Sequence, residues 1–205
     1  MKFLKLKKAL KNRINSILTY LPVNLSISYY KIDYIKRGMI MEIKVSALVI
    51  VYSYHHNNTE KVADVIANTL GADVKHPDEI TVEDIDSNNL IGFGAGIDSG
   101  KHYAPLIEMA KALHYVKNKK AFIFSTSGIY GKKKMIKDHS ALRDILISKG
   151  YSIIDEFSCA GFNTNSILKT FGGMNKGKPD VDDLKRAEDF ASQLMLKMQS
   201  NVFVE

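Results

Sequence analysis

The chain holds a single cysteine, Cys159, in 205 residues. One thiol excludes an internal disulfide. It also excludes an iron–sulfur cluster or a zinc site built from several thiolates of this chain. A reducing, cytoplasmic setting is expected. Cys159 lies in a strand-like run and reads as a buried small hydrophobe. No apolar run is long enough to span a bilayer, and the N-terminus shows no signal-peptide core. Acids are scarce in one region only. Residues 1–40 carry nine Lys or Arg against Asp33 alone, whereas residues 41–205 carry 20 basic and 21 acidic residues. The net charge of +7 therefore belongs to the first 40 residues. The remainder is nearly neutral, and no nucleic-acid partner is expected for it.

What is present is organised around residues 47–70. Ala47 to Val51 form a β-branched, buried-type run, as in a strand of a parallel sheet covered on both faces. A short polar loop follows, Tyr52 to Asn57. From Asn58 the spacing turns helical, with Val62, Val65, Ile66 and Leu70 on one face, and Gly71 stands as the C′ residue. A strand, tight polar loop and helix in this order aim the first helical N–H groups at the loop. These groups lack intrahelical partners and lie at the positive end of the helix dipole, which suits an anion such as phosphate. Ser53, Asn57, Asn58 and Thr59 add side-chain donors. The competing reading is that these residues are ordinary helix caps.

Upstream, residues 1–21 alternate apolar positions (Phe3, Leu6, Leu10, Ile14, Ile17, Leu21) with lysines. The pattern is a basic amphipathic helix ended by Pro22, suited to weak contact with an anionic membrane surface. An idle extension is the simpler reading of residues 1–40, and Met39 or Met41 offers an alternative start. The folded unit is expected over 41–205. Within it the strands are Ala47–Val51, 72–75, Leu90–Gly94, Lys120–Phe124 and Tyr151–Cys159. They alternate with helices over 58–70, 102–116, 139–148 and 179–198. Residues 125–134 read as a loop and 160–179 as an irregular connection. Five strands alternating with helices predict a three-layer α/β/α domain with right-handed crossovers.

Three loops, 52–59, 94–101 and 125–131, would meet at one end of the sheet, the edge where open α/β sheets bind ligands. Each is rich in small hydroxyl residues or glycine, which let backbone donors approach a ligand closely. Known phosphate motifs fail by spacing. Gly100–Lys101 is followed by His102 and not by Ser or Thr. Gly92, Gly94 and Gly96 follow the third strand and not the first, and lack the last glycine of a dinucleotide fingerprint. No Gly-x-Ser-x-Gly elbow is present. His55 and His56 are adjacent, so they rarely converge on one ion, and no third metal ligand has suitable spacing.

The run from Tyr52 to Ala63 resembles the phosphate loop of the flavodoxin family, a Ser/Thr-x-Thr-Gly-Asn-Thr segment followed by a helix with alanine four residues on. Asn58, Thr59 and Ala63 match. Asn57 replaces the usual glycine, and Tyr54 and His56 replace hydroxyl residues. Asn tolerates positive φ better than most residues, so the loop path is compatible. The resemblance extends over about 41–198 and takes in Gly94–Asp98 and Ser125–Gly128. It implies a five-stranded parallel sheet of order 2-1-3-4-5 and one FMN. The phosphate would sit in Ser53, Tyr54, His55, His56, Asn57, Asn58 and Thr59. The ring would lie between Ala95, Gly96, Ile97 and Asp98 on one side and Ser125, Thr126, Ser127, Gly128 and Tyr130 on the other. Tyr103 or Tyr130 would stack on it. No side chain need be an acid, base or nucleophile.

The implied activity is electron transfer with a redox partner protein. Flavodoxins are typically acidic near the flavin, whereas this chain places Lys132, Lys133, Lys134, Lys137, Lys176 and Lys178 in the corresponding region. That departure points to an acidic partner of ferredoxin type. Two alternatives stand beside it. One is an FMN-dependent oxidoreductase acting on a quinone or a porphyrinogen, with residues 160–179 walling its cavity. The other is an interaction module on the same fold that binds no flavin.

Overall fold

Strand β3 (Ala47–Tyr52) lies inside a parallel sheet, and Leu48, Val49 and Ile50 are almost wholly shielded from solvent. Its side chains alternate between two apolar layers. Ala47, Val49 and Val51 enter one, while Leu48 and Ile50 enter the other. A strand covered on both faces needs a continuous apolar run, and this one has it. The structure, a computed structural model, describes residues 31–32, 41–42, 45–164 and 172–200. The amphipathic stretch expected over 1–21 lies outside them. Two short segments upstream of β3, β1 (Lys31–Ile32) and β2 (Met41–Glu42), pair antiparallel.

Helix α1 (Asn58–Leu70) buries Val62, Ala63, Ile66, Ala67 and Leu70 and ends at Gly71, whose φ of 65° places it in the left-handed region. The chain then adds an edge strand, β4 (Asp73–Lys75), a 3₁₀ turn at Pro77–Glu79 and the short helix α2 (Val82–Ser87). Next come β5 (Leu90–Asp98), β6 (Lys101–His102) and α3 (Ala104–Ala112). β7 (Lys119–Ser127), α4 (Lys132–Asp138), α5 (Ser140–Ser148), β8 (Tyr151–Ala160) and α6 (Val181–Ser200) complete the described chain.

The main sheet has the order β4-β3-β5-β7-β8, all parallel, with β6 folded back antiparallel on β5. Counting the five parallel strands alone in chain order gives 2-1-3-4-5, as the resemblance implied. α1 and α6 share one layer with Phe122, Phe124 and Phe190. α3 and α5 share the other with Phe93, Ile123 and Leu146. The architecture is three-layer α/β/α.

Several elements differ from the sequence expectation. β5 runs four residues beyond Gly94, and residues expected as a loop form the turn of the β5–β6 hairpin. Lys132–Asp138, within and just after the expected loop 125–134, are helical. α3 is confined to Ala104–Ala112 within the span 102–116.

The glycines of β5 have a packing cause. A Cβ on Gly92 would stand 2.3 Å from the Phe122 ring, and one on Gly94 would stand 2.1 Å from the Phe124 ring. Both rings are fully buried and lie flat across the neighbouring strand. Small residues on β5 thus accommodate large ones on β7 at the same level. Overpacking of such a site costs about 1–3 kcal/mol. Gly94→Ala is therefore expected to lose about that much stability in urea unfolding. A variant as stable as the parent would mean that the Phe124 ring has room to move.

Candidate functional site

The parallel register sets where the site lies. Tyr52 pairs with Ala95, and Ala95 with Ser125, so the end of β3 stands level with positions two or three residues before the ends of β7 and β5. Their exit loops open into one cleft. Its walls come from Ser53, Tyr54 and His55, from Asn58 and Thr59, from Gly96 and Ile97 with Tyr103, and from Thr126, Ser127 and Gly128. A fourth wall, Gly161 to Asn163, follows β8.

At the first wall the chain enters α1 through two consecutive left-handed residues, His56 at φ 58° and Asn57 at φ 51°. Asn57 occupies the N-cap position, yet its side chain makes no capping hydrogen bond. The starts of α3, α4 and α5 likewise carry no side-chain cap, whereas those of α2 and α6 are closed by side chains. Thr81 Oγ1 accepts from the Asp84 N–H at 3.2 Å, and Asp180 Oδ1 accepts from the Asp183 N–H at 3.0 Å. The start of α1 thus keeps its positive dipole end and its first N–H groups turned to the cleft.

Asn58 and Thr59 are both buried although polar. Asn58 donates through Nδ2 to the Phe162 carbonyl at 2.8 Å. Its Oδ1 is buried and has no partner among the described residues. The Thr59 and Thr126 hydroxyls lie 2.8 Å apart. One hydrogen serves that bond, and the second hydroxyl hydrogen of the pair stays available to a ligand. These contacts join the loops after β3, β7 and β8 into one rigid cradle.

Glycines let ring-sized groups approach the other walls. Tyr103 packs over Gly96, where a Cβ would stand 2.6 Å from the ring. At Gly128 a Cβ would stand 2.6 Å from Met174 Cε. Asn175 Nδ2 donates to the Gly128 carbonyl at 2.6 Å, and fixes that loop from outside. Tyr54, 66% exposed, stands edge-on to His55 with ring centroids 4.5 Å apart.

The remaining expected site residues are placed elsewhere. The His56 ring packs on Phe162 at 4.5 Å, with Nε2 2.9 Å from Thr164 Oγ1, so it braces the loop from behind. Asn57 is exposed, and Ala95 sits in the apolar layer beneath the cleft. Asp98 is exposed at the hairpin. Ser125 turns inward to His139 at 2.8 Å. Tyr130 is half-exposed, with the Arg186 guanidinium 5.9 Å from its ring centroid. Gly161, Phe162 and Asn163 were not among the expected cofactor-binding residues, although they lie in the connection 160–179 expected to wall a cavity on the oxidoreductase reading. The glycine and asparagine content of the connection after β8 was their sequence signal.

Among the described residues, no group of His, Cys, Asp and Glu side chains is placed to hold a metal ion. None of their helices is long and apolar enough to cross a membrane. Burial is the main influence on the Cys159 thiol, pushing its pKa up to about 12. The group is thus an unreactive core residue at neutral pH.

The Flavodoxin domain family matches residues 49–193 of the chain. An uncharacterized protein of Methanocaldococcus jannaschii is 44% identical over 151 residues, which make up 74% of this chain and 99% of that protein. Oxidised flavodoxin 2 from Bacillus cereus superposes with a TM-score of 0.54 at 14% identity, covering 74% of this chain and 99% of its own. A flavodoxin from Streptococcus pneumoniae TIGR4 gives the same TM-score of 0.54 at 17% identity, again over 74% of this chain and 99% of its own. At such identities the structural likeness speaks to the fold. The family match spans most of the chain and includes all three loops of the cleft, so this chain belongs to the Flavodoxin domain family.

Proposed function

We propose that the cleft binds one FMN and that the chain passes electrons between partner proteins in the cytoplasm. The observation that carries this reading is the meeting of the uncapped start of α1 with the glycine-bearing ends of β5 and β7. On this reading the phosphate is held by the first N–H groups of α1 and by the hydroxyls of Ser53, Thr59 and Thr126. The buried Asn58 Oδ1 is an acceptor without a protein partner, which suits a ribityl hydroxyl. Tyr54 and Tyr103 face the ring on one side, and Ser127 and Gly128 border its other edge. When bound, the isoalloxazine supplies the one- and two-electron chemistry. The protein binds it, orients it and excludes water from its inner face. The unit that does this is residues 41–205, with residues 1–40 a basic extension.

The partner on this reading is acidic. Lys132, Lys133, Lys137 and Lys176 are exposed, with no ion pair among the described residues. Lys134 and Lys178 are already engaged, by Asp138 at 2.6 Å and by Asp180 and Asp183 at 2.7 and 2.9 Å. The exposed apolar side chain of Ile136 lies between Lys134 and Lys137 along the chain, and exposed Ile129 lies three residues before Lys132. Unpaired lysines beside exposed apolar side chains would steer an acidic redox protein and set its on-rate.

Calorimetric titration tests the ligand. FMN is expected to bind at least about tenfold more tightly than riboflavin, a difference of about 1.4 kcal/mol, and Thr59→Val is expected to narrow that gap. Equal affinities for the two flavins would remove the phosphate from the start of α1. Stopped-flow reduction by an acidic protein donor tests the partner. The rate should fall steeply with added salt and fall again in Lys132→Glu/Lys133→Glu/Lys137→Glu. A rate indifferent to both would exclude this face as the docking surface.

A further inference from the structure

Two consecutive non-glycine residues in the left-handed region, His56 at φ 58° and Asn57 at φ 51°, set the turn into α1. Each such residue is disfavoured and persists only where its surroundings hold it. The helix start does not hold them, because the Asn57 side chain makes no capping hydrogen bond. The hold comes from the chain after β8, 104 to 108 residues away in sequence. The His56 ring lies on the Phe162 ring with centroids 4.5 Å apart and planes 37° from parallel, and its Nε2 is 2.9 Å from Thr164 Oγ1. Asn58 donates from Nδ2 to the Phe162 carbonyl at 2.8 Å. One turn therefore grips Phe162 twice, on its ring through residue 56 and on its backbone through residue 58.

Phe162 is itself fixed. Asn163 and Met174 exchange both backbone hydrogen bonds, at 2.9 and 2.8 Å, and the Phe162 N–H donates to the Lys178 carbonyl at 3.2 Å. Gly173, beside that pair, has φ 86°, and a Cβ there would stand 2.6 Å from the Phe162 ring. Asn175 ties the same strip to the Gly128 carbonyl at 2.6 Å. The strip thus reaches the cleft at two ends, the turn before α1 and the loop after β7. Its first contact bears on a ligand. Asn58 is 6% exposed, and with Nδ2 committed to Phe162 its Oδ1 is buried without a partner among the described residues. Without the grip on Phe162, neither this amide nor the left-handed turn beside it has a fixed orientation toward the cleft.

We infer that His56 is a positioning residue for the phosphate of the ligand. It acts through Phe162. The packed rings keep residues 56 and 57 left-handed, and that conformation aims the first N–H groups of α1 at the cleft before a ligand arrives. The inference rests on the FMN reading and goes beyond it, since His56 does not line the cleft. A turn already held in its bound form needs no further ordering on binding, which raises affinity for the group it serves. That group is the phosphate alone, because it is the anion that suits the helix start. A flavin without phosphate makes no use of those N–H groups, so its affinity is indifferent to the turn.

The test compares FMN with riboflavin by calorimetric titration of the full chain and its variants. His56→Ala should lower FMN affinity by about tenfold, the scale of one strained residue released, and move riboflavin affinity by less than about twofold. Phe162→Leu should do the same, and the double variant should lose no more than either single one. Phe162→Tyr, which keeps the ring, should behave as the parent. Glycine adopts a left-handed φ without support, so His56→Gly should keep more of the preference for FMN than His56→Ala. A ratio of FMN to riboflavin affinity unchanged in His56→Ala would overturn this inference alone. Parallel loss of both flavins in that variant would do so too, as the mark of a merely structural role, and so would His56→Gly no better than His56→Ala. A parent chain that binds neither flavin would overturn the FMN reading and this inference together.

Discussion

Parallel pairing of β3, β5 and β7 is the constraint from which the rest follows. Parallel strands need long crossovers, so all three chains leave the sheet at the same edge. The register then brings Tyr52, Ala95 and Ser125 to one level, and the cleft opens just beyond them. Side-chain alternation continues through that edge. Along β7, Thr126 faces the cleft wall with Thr59, while Ser125 faces the opposite layer and His139. Cleft and buried network are thus two sides of the same strand end. A one-residue slip would exchange them.

Size matching across the sheet makes this pairing specific. Gly92 and Gly94 leave room for Phe122 and Phe124, whose rings fill the layer shared with α1 and α6. The same device recurs at the cleft, where Gly96 receives Tyr103. Glycine ordinarily weakens a strand. Here the large aromatic neighbour supplies the apolar contact that glycine lacks, and β5 continues to Asp98.

How much of this was legible in the sequence depended on whether the signal was local. The β-branched run of β3, the helical period of α1 and the Gly71 terminus are local, and they gave the organising unit. The phosphate-loop resemblance rested on Asn58, Thr59 and Ala63, three positions within one turn and a half of helix. The extension of β5 beyond Gly94 was hidden because Gly96 reads as a loop residue when Tyr103 is not seen beside it. α4 was hidden because KKKMIKD has too few apolar positions to show a period. His55 and His56 looked equivalent as neighbours. Left-handed φ values at His56 and Asn57 separate them, sending one ring to the cleft and the other onto Phe162. The contacts of His139 join positions 102, 125, 139 and 156, from four elements, and no spacing along the chain announces them.

The claim on which the functional account turns is that the cleft at the start of α1 is a flavin site. The most direct measurement is the visible absorption spectrum of the purified chain, with the released chromophore identified by mass. Yellow protein carrying one FMN per chain is the result the account predicts. Colourless protein that also fails to take up added FMN would contradict it, and would leave a flavodoxin-type fold serving some other ligand.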